Sequence, residues 1–484
     1  MSNVSGSNAN IKIIPLVSLI VVATICWFLR PEAIEVNQWH TLVIFLATIM
    51  GIVLNVMPIG AVGLIGIAAF AVFNAAGATT SKQAIMDALS GFDSYLIWLI
   101  VVAFFIAKGF IKTGFGKRIA LLLVKYLGQR TLGLVYGLSI ADLILAPATP
   151  SNTARCGGVI YPIANSLAHS FNSLPNDNSR KKMGSYLITS IGNVNDITAA
   201  MFVTAYAANP LIMKLASEFG VNLTWGSWFG AAVGPALVSL LLVPLVLYMI
   251  MKPEITKTPE AKKFAEDELK AMGPISKNEI IMCFTFIGLL GLWIFGKTLG
   301  IHSTTAALIG LSTLIVTGVL TWDDIKGEKA AWDTLVWFSA LLMMAGFLNS
   351  LGFTKYFGNL IGEQLSFMGD IHWIVLLIIL NAIYTYVHYF FASGTAQVAA
   401  LYAVFIGVGI KLGIPVYPLA LMLGFSSSLY CSLTQYSHAR GPILFGSGYV
   451  TTSEWWKAGF LINLLNQIIF VVIGLLWWKM LGLY

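Results

Sequence analysis

Residues 148–153 (Ala-Thr-Pro-Ser-Asn-Thr) and residues 392–396 (Ala-Ser-Gly-Thr-Ala) are short polar stretches in an otherwise apolar sequence. The apolar arms that they join are mostly about 16 residues long, or roughly 24 Å as helices. Such arms are short for a bilayer core of roughly 30 Å. Non-helical backbone is tolerated at membrane depth only where it lines a cavity, so we predict two re-entrant hairpins with buried tips. The predicted arms are residues 131–146 and 154–169, and residues 371–391 and 397–412.

The composition is that of a membrane protein. The chain has 484 residues, of which 58% are hydrophobic and 10% are charged, whereas soluble domains have about 25% charged residues. We predict an all-α polytopic fold with about 11 transmembrane helices besides the two hairpins. The net charge of +7 is attributed to basic loops on one side of the membrane, not to nucleic-acid binding. The four cysteines show no metal-ligand spacing.

The order of apolar and polar segments repeats in the two halves of the chain. Each hairpin is followed by a span with a polar interruption, at 190–196 in the first half and at 424–428 and 434–438 in the second. Broken segments at corresponding positions of two halves are typical of the binding site of secondary transporters. We expect five segments. Scaffold helices at 1–130 are followed by a transport-domain hairpin, broken helix and span at 131–251. A cytoplasmic linker at 252–277 leads to scaffold helices at 278–369 and to the second transport-domain hairpin, broken helix and last span at 370–484.

The distribution of lysine and arginine predicts the topology. Most of these residues fall on one side if the N-terminus and the 252–277 linker are cytoplasmic, as the positive-inside rule requires. The first hairpin then enters from the cytoplasmic face and the second from the opposite face, so the halves form an inverted repeat. We expect a multi-pass protein of the bacterial inner membrane.

The two tips have the chemistry of an anion site. Each tip is the start of a helix, where free backbone N–H groups and the positive end of the helix dipole favour a carboxylate. Two opposed tips could hold both ends of a dicarboxylate. The alternative is that the polar residues are only helix caps in loops, but their occurrence at equivalent places in two halves favours binding. The predicted substrate-binding residues are Ser151, Asn152, Thr153, Ser393, Gly394, Thr395 and Asn193.

These motifs, together with residues 190–192 (Ser-Ile-Gly) and 441–449 (Gly-Pro-Ile-Leu-Phe-Gly-Ser-Gly-Tyr), resemble those of the divalent anion:sodium symporter family. The resemblance covers essentially the whole chain and is closest to the branch of citrate/succinate, tartrate/succinate and 2-oxoglutarate/malate translocators. It implies a homodimeric elevator-type transporter in which an outer scaffold holds a mobile domain and the substrate lies between the hairpin tips.

The chain departs from the sodium-binding pattern of that family. The pattern has Ser-Asn-Thr at both tips and Pro-Pro-Asn after each break, but here Gly394 replaces the second asparagine, and the breaks are followed by residues 207–210 (Ala-Ala-Asn-Pro) and 438–442 (His-Ala-Arg-Gly-Pro). We therefore expect no cofactor and no metal, with bound sodium only as the alternative.

Four cations near the tips are predicted to carry fixed positive charge in place of sodium: Arg155, His388, His438 and Arg440. An arginine buried in a membrane needs a partner. The alternatives are that Arg155 is bonded to helix-end carbonyls or to Asp142 or Asp196, that His388 is a hydrogen-bonded core residue, and that His438 and Arg440 lie near the surface.

The resulting functional prediction is exchange of di- or tricarboxylates, because a mobile domain with fixed positive charge would return slowly without a bound anion. The alternative is a sodium-coupled dicarboxylate symporter. An intramembrane enzyme would need paired catalytic residues, which the sequence lacks. A channel would need a continuous polar stripe along several spans, whereas the polarity here is confined to the tips and breaks.

Overall fold

The computed structural model describes residues 11–353, 356, 360 and 371–484, and this part of the chain is built from α-helices. An isolated antiparallel bridge joins Arg130 to Lys257, but no β-strand forms within these residues. The predicted all-α fold is therefore confirmed.

The first half contains an outer group of helices, a hairpin, a long buried helix and a closing helix. Its helices are α1 (Ile13–Phe28), α2 (Val36–Val53), α3 (Ile59–Val72), α4 (Ser81–Leu89), α5 (Tyr95–Thr113), α6 (Phe115–Leu127), α7 (Thr131–Leu145), α8 (Asn152–Arg155), α9 (Tyr161–Ser170), α10 (Gly184–Met201), α11 (Asn209–Ser217) and α12 (Trp225–Ile250). A π-helical turn, Cys156–Ile160, makes α8 and α9 one continuous arm.

The second half begins after a linker helix. Its helices are α13 (Glu260–Met272) in the linker, then α14 (Lys277–Leu299), α15 (Ser303–Val316), α16 (Trp322–Gly327), α17 (Lys329–Ser350), α18 (Trp373–Tyr386), α19 (Gly394–Lys411), α20 (Val416–Leu429), α21 (Gly441–Phe445), α22 (Thr452–Ile469) and α23 (Leu475–Met480). Another π-helical turn, Phe470–Gly474, joins α22 to α23.

Within the described residues, 9 helical stretches are long and apolar enough to cross a membrane. Three of them are hairpin arms, Thr131–Ala148, Trp373–Phe390 and Gly394–Lys411, each of 18 residues. At about 1.5 Å per residue these arms approach the bilayer thickness, so length does not separate a re-entrant arm from a span. The re-entrant course, the inverted repeat and the domain boundaries remain predictions.

The central helices α10 and α20 are buried almost throughout. Every residue of α10 is buried, whereas α1 buries none of its residues. Helix α10 packs against α7, α12 and α20, so the polar residues of its middle lie at the centre of the molecule. Polar side chains there are expensive unless they are bonded or bind something.

The predicted breaks at 190–196 and 424–428 are wrong, because α10 and α20 continue through these residues. Their polar side chains bond mainly to neighbouring elements, and one interior glycine costs a helix only about 1 kcal/mol. The first break lies later, where Phe202 and Tyr206 have extended backbone angles. The second follows Leu429, and its 434–438 portion is non-helical as expected.

The polar linker 252–277 contains a helix that lies on α6. Lys117 and Lys125 of α6 form ion pairs with Glu268 and Glu266 of α13, at 2.8 and 3.3 Å. These partly exposed pairs contribute at most about 1 kcal/mol each. The linker therefore covers the side of the molecule on which the first hairpin begins.

Candidate functional site

The first tip is a capped helix start with an unpaired amide. The Ala154 N–H donates to Ser151 Oγ at 3.0 Å, which satisfies one of the free donors of α8. Asn152 is 2% exposed, and its Nδ2 has no partner among the described residues. Ser151 and Thr153 are partly exposed. The tip thus presents hydroxyl groups beside a buried amide donor.

The second tip has the same cap but no amide. The Ala396 N–H donates to Ser393 Oγ at 3.3 Å, and α19 begins at Gly394. The Tyr430 hydroxyl donates to the Gly394 carbonyl at 3.1 Å, which fixes the tip against the end of α20. Ser393 and Thr395 are partly exposed.

Each tip contacts the segment that follows the break in the other half. The Arg440 N–H donates to His438 Nδ1 at 3.3 Å, so this nitrogen is an acceptor, and Thr153 Oγ1 donates to it at 3.4 Å. Tyr206, which follows the first break, reaches the second tip beside Gly394. The predicted tip residues of both halves therefore lie in one connected cluster.

Helices α10 and α20 are also joined directly at this centre. The Ser428 hydroxyl donates to the Asp196 carbonyl at 2.8 Å. Both residues are buried. The contact places the middle of α10 beside the end of α20, and both lie between the elements that hold the two tips.

Arg155 is paired, which corrects its expected role as a free charge. Its Nε lies 3.0 Å from Asp142 Oδ1, and the side chain is 0% exposed. It also donates to Thr198 Oγ1 at 3.2 Å and to the carbonyls of Thr149 and Ala205 at 2.9 and 3.3 Å. These contacts are those of the alternative interpretation, in which Arg155 bonds to Asp142 and to helix-end carbonyls. Arg155 thereby connects the first tip to its arm, to α10 and to the segment after the break.

Arg440 is buried and paired as well, which corrects its expected role as a free charge and shows that the alternative, a position near the surface, is wrong. It is 2% exposed, forms an ion pair with Asp196, and donates to Asn195 Oδ1 at 2.9 Å. A guanidinium therefore occupies oxygen atoms of α10 that a bound cation could otherwise use. The two arginine–aspartate pairs together contribute no net charge to the site.

The two histidines have different surroundings. Gln397 Nε2 donates to the Tyr384 carbonyl at 2.6 Å, so Gln397 Oε1 faces His388 and accepts from its Nδ1 at 2.6 Å. His388 is fully buried and stacks on Tyr430 with ring centroids 3.9 Å apart, as a hydrogen-bonded core histidine does. His438 is only partly buried and faces the first tip.

Asn193 lies on α10 in a group of unpaired oxygens. Its Nδ2 donates to the Thr189 carbonyl of its own helix at 2.9 Å, which leaves Oδ1 without a partner. Ser190 Oγ and Asp196 Oδ2 are likewise unpaired among the described residues. A buried unpaired polar atom costs about 1–3 kcal/mol, so this group marks a place where a polar ligand or water would be favoured.

The second half contains a neutral polar network. Asn381 Nδ2 and Ser426 Oγ both donate to Gln467 Oε1, at 2.5 and 3.2 Å. The Tyr384 hydroxyl lies 2.8 Å from Ser427 Oγ. These bonds join α18, α20 and α22 without any charged group.

Three residues of the site were not predicted from the sequence: Tyr206, Gln397 and Tyr430. A signal existed for two of them. Gln397 follows Ser393 at the same distance as Arg155 follows Ser151, and Tyr206 precedes Pro210 at the same distance as His438 precedes Pro442. Aligning the halves on their capping serines and prolines would have identified both.

Comparison with known proteins identifies the family. Residues 10–484 match the family described as the sodium:sulfate symporter transmembrane region. The chain belongs to the divalent anion:sodium symporter family. It is therefore a membrane transporter and not an enzyme, and the resemblance seen in the tip motifs is confirmed.

Two relatives and one solved structure are similar to the chain over almost its whole length. YflS of Bacillus subtilis is 47% identical over 482 residues, which cover 99% of each chain. Dicarboxylate transporter 2 of Spinacia oleracea chloroplasts is 43% identical over 477 residues, covering 98% of this chain and 83% of the relative. The crystal structure of the Alcanivorax borkumensis YdaH transporter has a TM-score of 0.55 with 13% identity, over 97% of this chain and 98% of that one. This last likeness concerns the fold alone.

Proposed function

We propose that this protein exchanges di- or tricarboxylates, such as succinate, malate, citrate, tartrate or 2-oxoglutarate, across the bacterial inner membrane. The observation that carries the proposal is the cluster of two capped helix starts, each in contact with the segment after the other half's break. The Spinacia oleracea relative, whose name is dicarboxylate transporter, supports the substrate class.

The electrostatics of the tips favour a dianion. A helix start carries roughly half a positive charge, and the two arginine–aspartate pairs leave this partial charge uncompensated. At the first tip, the unpaired Nδ2 of Asn152 is a further donor. One carboxylate at each tip would satisfy these donors, and charge-assisted hydrogen bonds are about twice as strong as neutral ones.

Unpaired polar groups, and not free cations, distinguish the empty site from the loaded one. With Arg155 and Arg440 paired, an empty mobile domain carries no net charge from them. It still carries unpaired buried atoms, including Asn152 Nδ2 and Asn193 Oδ1. Burial of an unpaired donor costs about 1–3 kcal/mol, and a bound carboxylate removes this cost for Asn152 Nδ2 but not for the acceptor Asn193 Oδ1. Return of the loaded carrier would be faster than return of the empty one if the two helix starts and the donors at the tips also compensate the charge of the bound dianion.

We further propose an elevator movement in a homodimer with a cytoplasmic N-terminus. The mobile part would contain both hairpins with α10 and α20, which form the buried centre. The scaffold would contain α1 to α5 and α14 to α17. Buried helices joined by hydrogen bonds across the centre, such as Ser428 to Asp196, would move as one body.

Flux in proteoliposomes tests exchange directly. Vesicles loaded with unlabelled malate should take up labelled succinate with choline replacing all sodium, and empty vesicles should take up far less. A valinomycin clamp in potassium buffer removes any contribution of membrane potential. Uptake into empty vesicles that requires an inward sodium gradient would contradict exchange.

The second candidate function is sodium-coupled symport, and one observation favours it. Asn193 Oδ1 and Ser190 Oγ are unpaired oxygens on the α10 segment, and amide and hydroxyl oxygens are ligands for hard cations. If they bind sodium, succinate uptake should depend on sodium, and Asn193→Ala should raise the sodium concentration for half-maximal uptake. Sodium-independent uptake by both wild type and Asn193→Ala would exclude this candidate.

A further inference from the structure

The residue that follows the capping serine differs between the two tips, and the rest of the site must compensate for this difference. At the first tip it is Asn152, whose buried Nδ2 is unpaired. At the second tip it is Gly394, which has no side chain. Both follow a serine that caps its helix in the same way. The second tip therefore lacks the amide donor that the first tip offers.

The Tyr206 side chain occupies the space that a Cβ atom at position 394 would need. A Cβ atom built on Gly394 would lie 2.4 Å from Tyr206 Oη, 3.1 Å from Cys431 Sγ and 3.3 Å from Tyr430 Cε2. The first distance is far below van der Waals contact, and glycine has no positive φ here that would explain its presence. Glycine is required at this position by the Tyr206 hydroxyl.

The Tyr206 hydroxyl is placed among side chains of the second half. Tyr206 is 2% exposed and reaches the second tip from the segment after the first break. Its hydroxyl lies within hydrogen-bonding reach of Thr395 and 4.0 Å from Cys431 Sγ. A thiol sulfur is a weak acceptor, so a carboxylate oxygen would be the stronger partner for this hydroxyl.

We propose that Tyr206 donates the hydrogen bond to the substrate at the second tip that Asn152 donates at the first, and that Gly394 is present to admit it. This inference rests on the proposed function and assigns a specificity-determining residue to the same site. The hydroxyl belongs to the first half but acts at the tip of the second. A carboxylate bound there therefore connects the second tip to the segment after the first break.

The proposal predicts a specific loss of affinity in Tyr206→Phe, which removes the hydroxyl and keeps the ring. A hydrogen bond to a charged group accounts for a factor of about 10 to 100 in affinity. The apparent KM for succinate in malate-loaded proteoliposomes should rise by about that factor, and the dissociation constant from calorimetry should rise with it. Tyr402→Phe is the matched control, because Tyr402 is equally buried but donates to the Ala420 carbonyl, away from the tip. Its KM should stay within about twofold of the wild-type value.

A double-mutant cycle tests the role of Gly394. Gly394→Ala should weaken succinate binding, because its methyl group must displace the Tyr206 hydroxyl. In the Tyr206→Phe background the same alanine should add little, since the atom it meets is already gone. Such strong non-additivity is expected only of groups in direct contact.

The outcomes separate this inference from the proposed function. An unchanged succinate affinity in Tyr206→Phe, or additive effects of the two substitutions, would overturn the role of Tyr206 while wild-type exchange remained. Lost transport with unchanged calorimetric binding would also overturn it, because the role assigned is in binding. Absence of dicarboxylate exchange in the wild type would instead contradict the proposed function. Thermal unfolding of each variant shows whether a loss reflects misfolding.

Discussion

The two hairpins are supported by different chemistry at positions that correspond. Arg155 and Gln397 follow their capping serines at the same distance, and Asp142 and Tyr384 precede them at the same distance. In the first half the pair is a buried salt bridge with a separation of 3.0 Å. In the second half, Gln397 Nε2 donates to the Tyr384 carbonyl at 2.6 Å and no charge is involved.

The difference shows that charge is not needed to hold a tip in place. Both side chains tie a tip to its arm, one as an ion pair and the other as a neutral amide. A buried ion pair stabilises little relative to a well-packed neutral replacement, but breaking it by removing one partner is costly. Loss of one partner should therefore cost more where the support is an ion pair than where it is a neutral amide.

The largest effect is expected for Arg440→Gln. Loss of the Arg440 guanidinium leaves the buried carboxylate of Asp196 without its ion-pair partner, which costs about 3–5 kcal/mol. The free energy of unfolding in mixed micelles should fall by that amount. Arg130→Gln is the matched control, because Arg130 is exposed, and it should change stability by less than about 0.5 kcal/mol. Equal effects of the two substitutions would contradict the buried pair.

A smaller loss of about 2 kcal/mol is expected for Arg155→Gln. Asp142 would keep its hydrogen bonds from Asn195 Nδ2, at 3.1 Å, and from Thr198. The double variant Asp142→Asn/Arg155→Gln gives the first half the neutral character of the second and should be more stable than Arg155→Gln. If the double variant were less stable than either single variant, the two halves would not be interchangeable in this way.

Gln397→Met tests the neutral amide that supports the second tip. It removes the bonds to Tyr384 and His388 while roughly preserving the side-chain volume, and should cost about 1–2 kcal/mol. The unfolding free energy should thus fall less than in Arg440→Gln. A loss larger than that of Arg155→Gln would contradict the contrast between the charged and the neutral support.

The capping serines should be the least sensitive and should behave alike. Ser151→Ala and Ser393→Ala each remove one cap bond, at 3.0 and 3.3 Å, which costs about 1 kcal/mol. The unfolding free energies of the two variants should agree within about 0.5 kcal/mol. A much larger effect at one tip would show that its serine does more than cap the helix.

The sequence was sufficient for the fold class, the hairpin arms and the capped tips. Apolar length, small polar residues at the apices and a charged linker are local signals, and all of them appear in the structure. The position of the breaks could not be predicted, because Asn195 of the 190–196 segment bonds to Asp142 and Arg440, which are distant in the chain.

The pairing of Arg155 was predicted only as an alternative, and the pairing of Arg440 was not predicted. A sequence shows that Arg155 and Arg440 lie in apolar surroundings but not which aspartate faces each of them. The role of Tyr206 depends on a contact between the first break and the second tip, and a single sequence carries no signal of that contact except the matching positions of Tyr206 and His438.

A high-resolution structure of the protein with succinate in sodium-free buffer would show directly whether one dicarboxylate bridges both tips. We expect one carboxylate within hydrogen-bonding distance of Asn152 and the other within that distance of Tyr206 Oη and the N–H groups at the second tip. Succinate that contacts only one tip, or that binds away from both, would contradict this expectation.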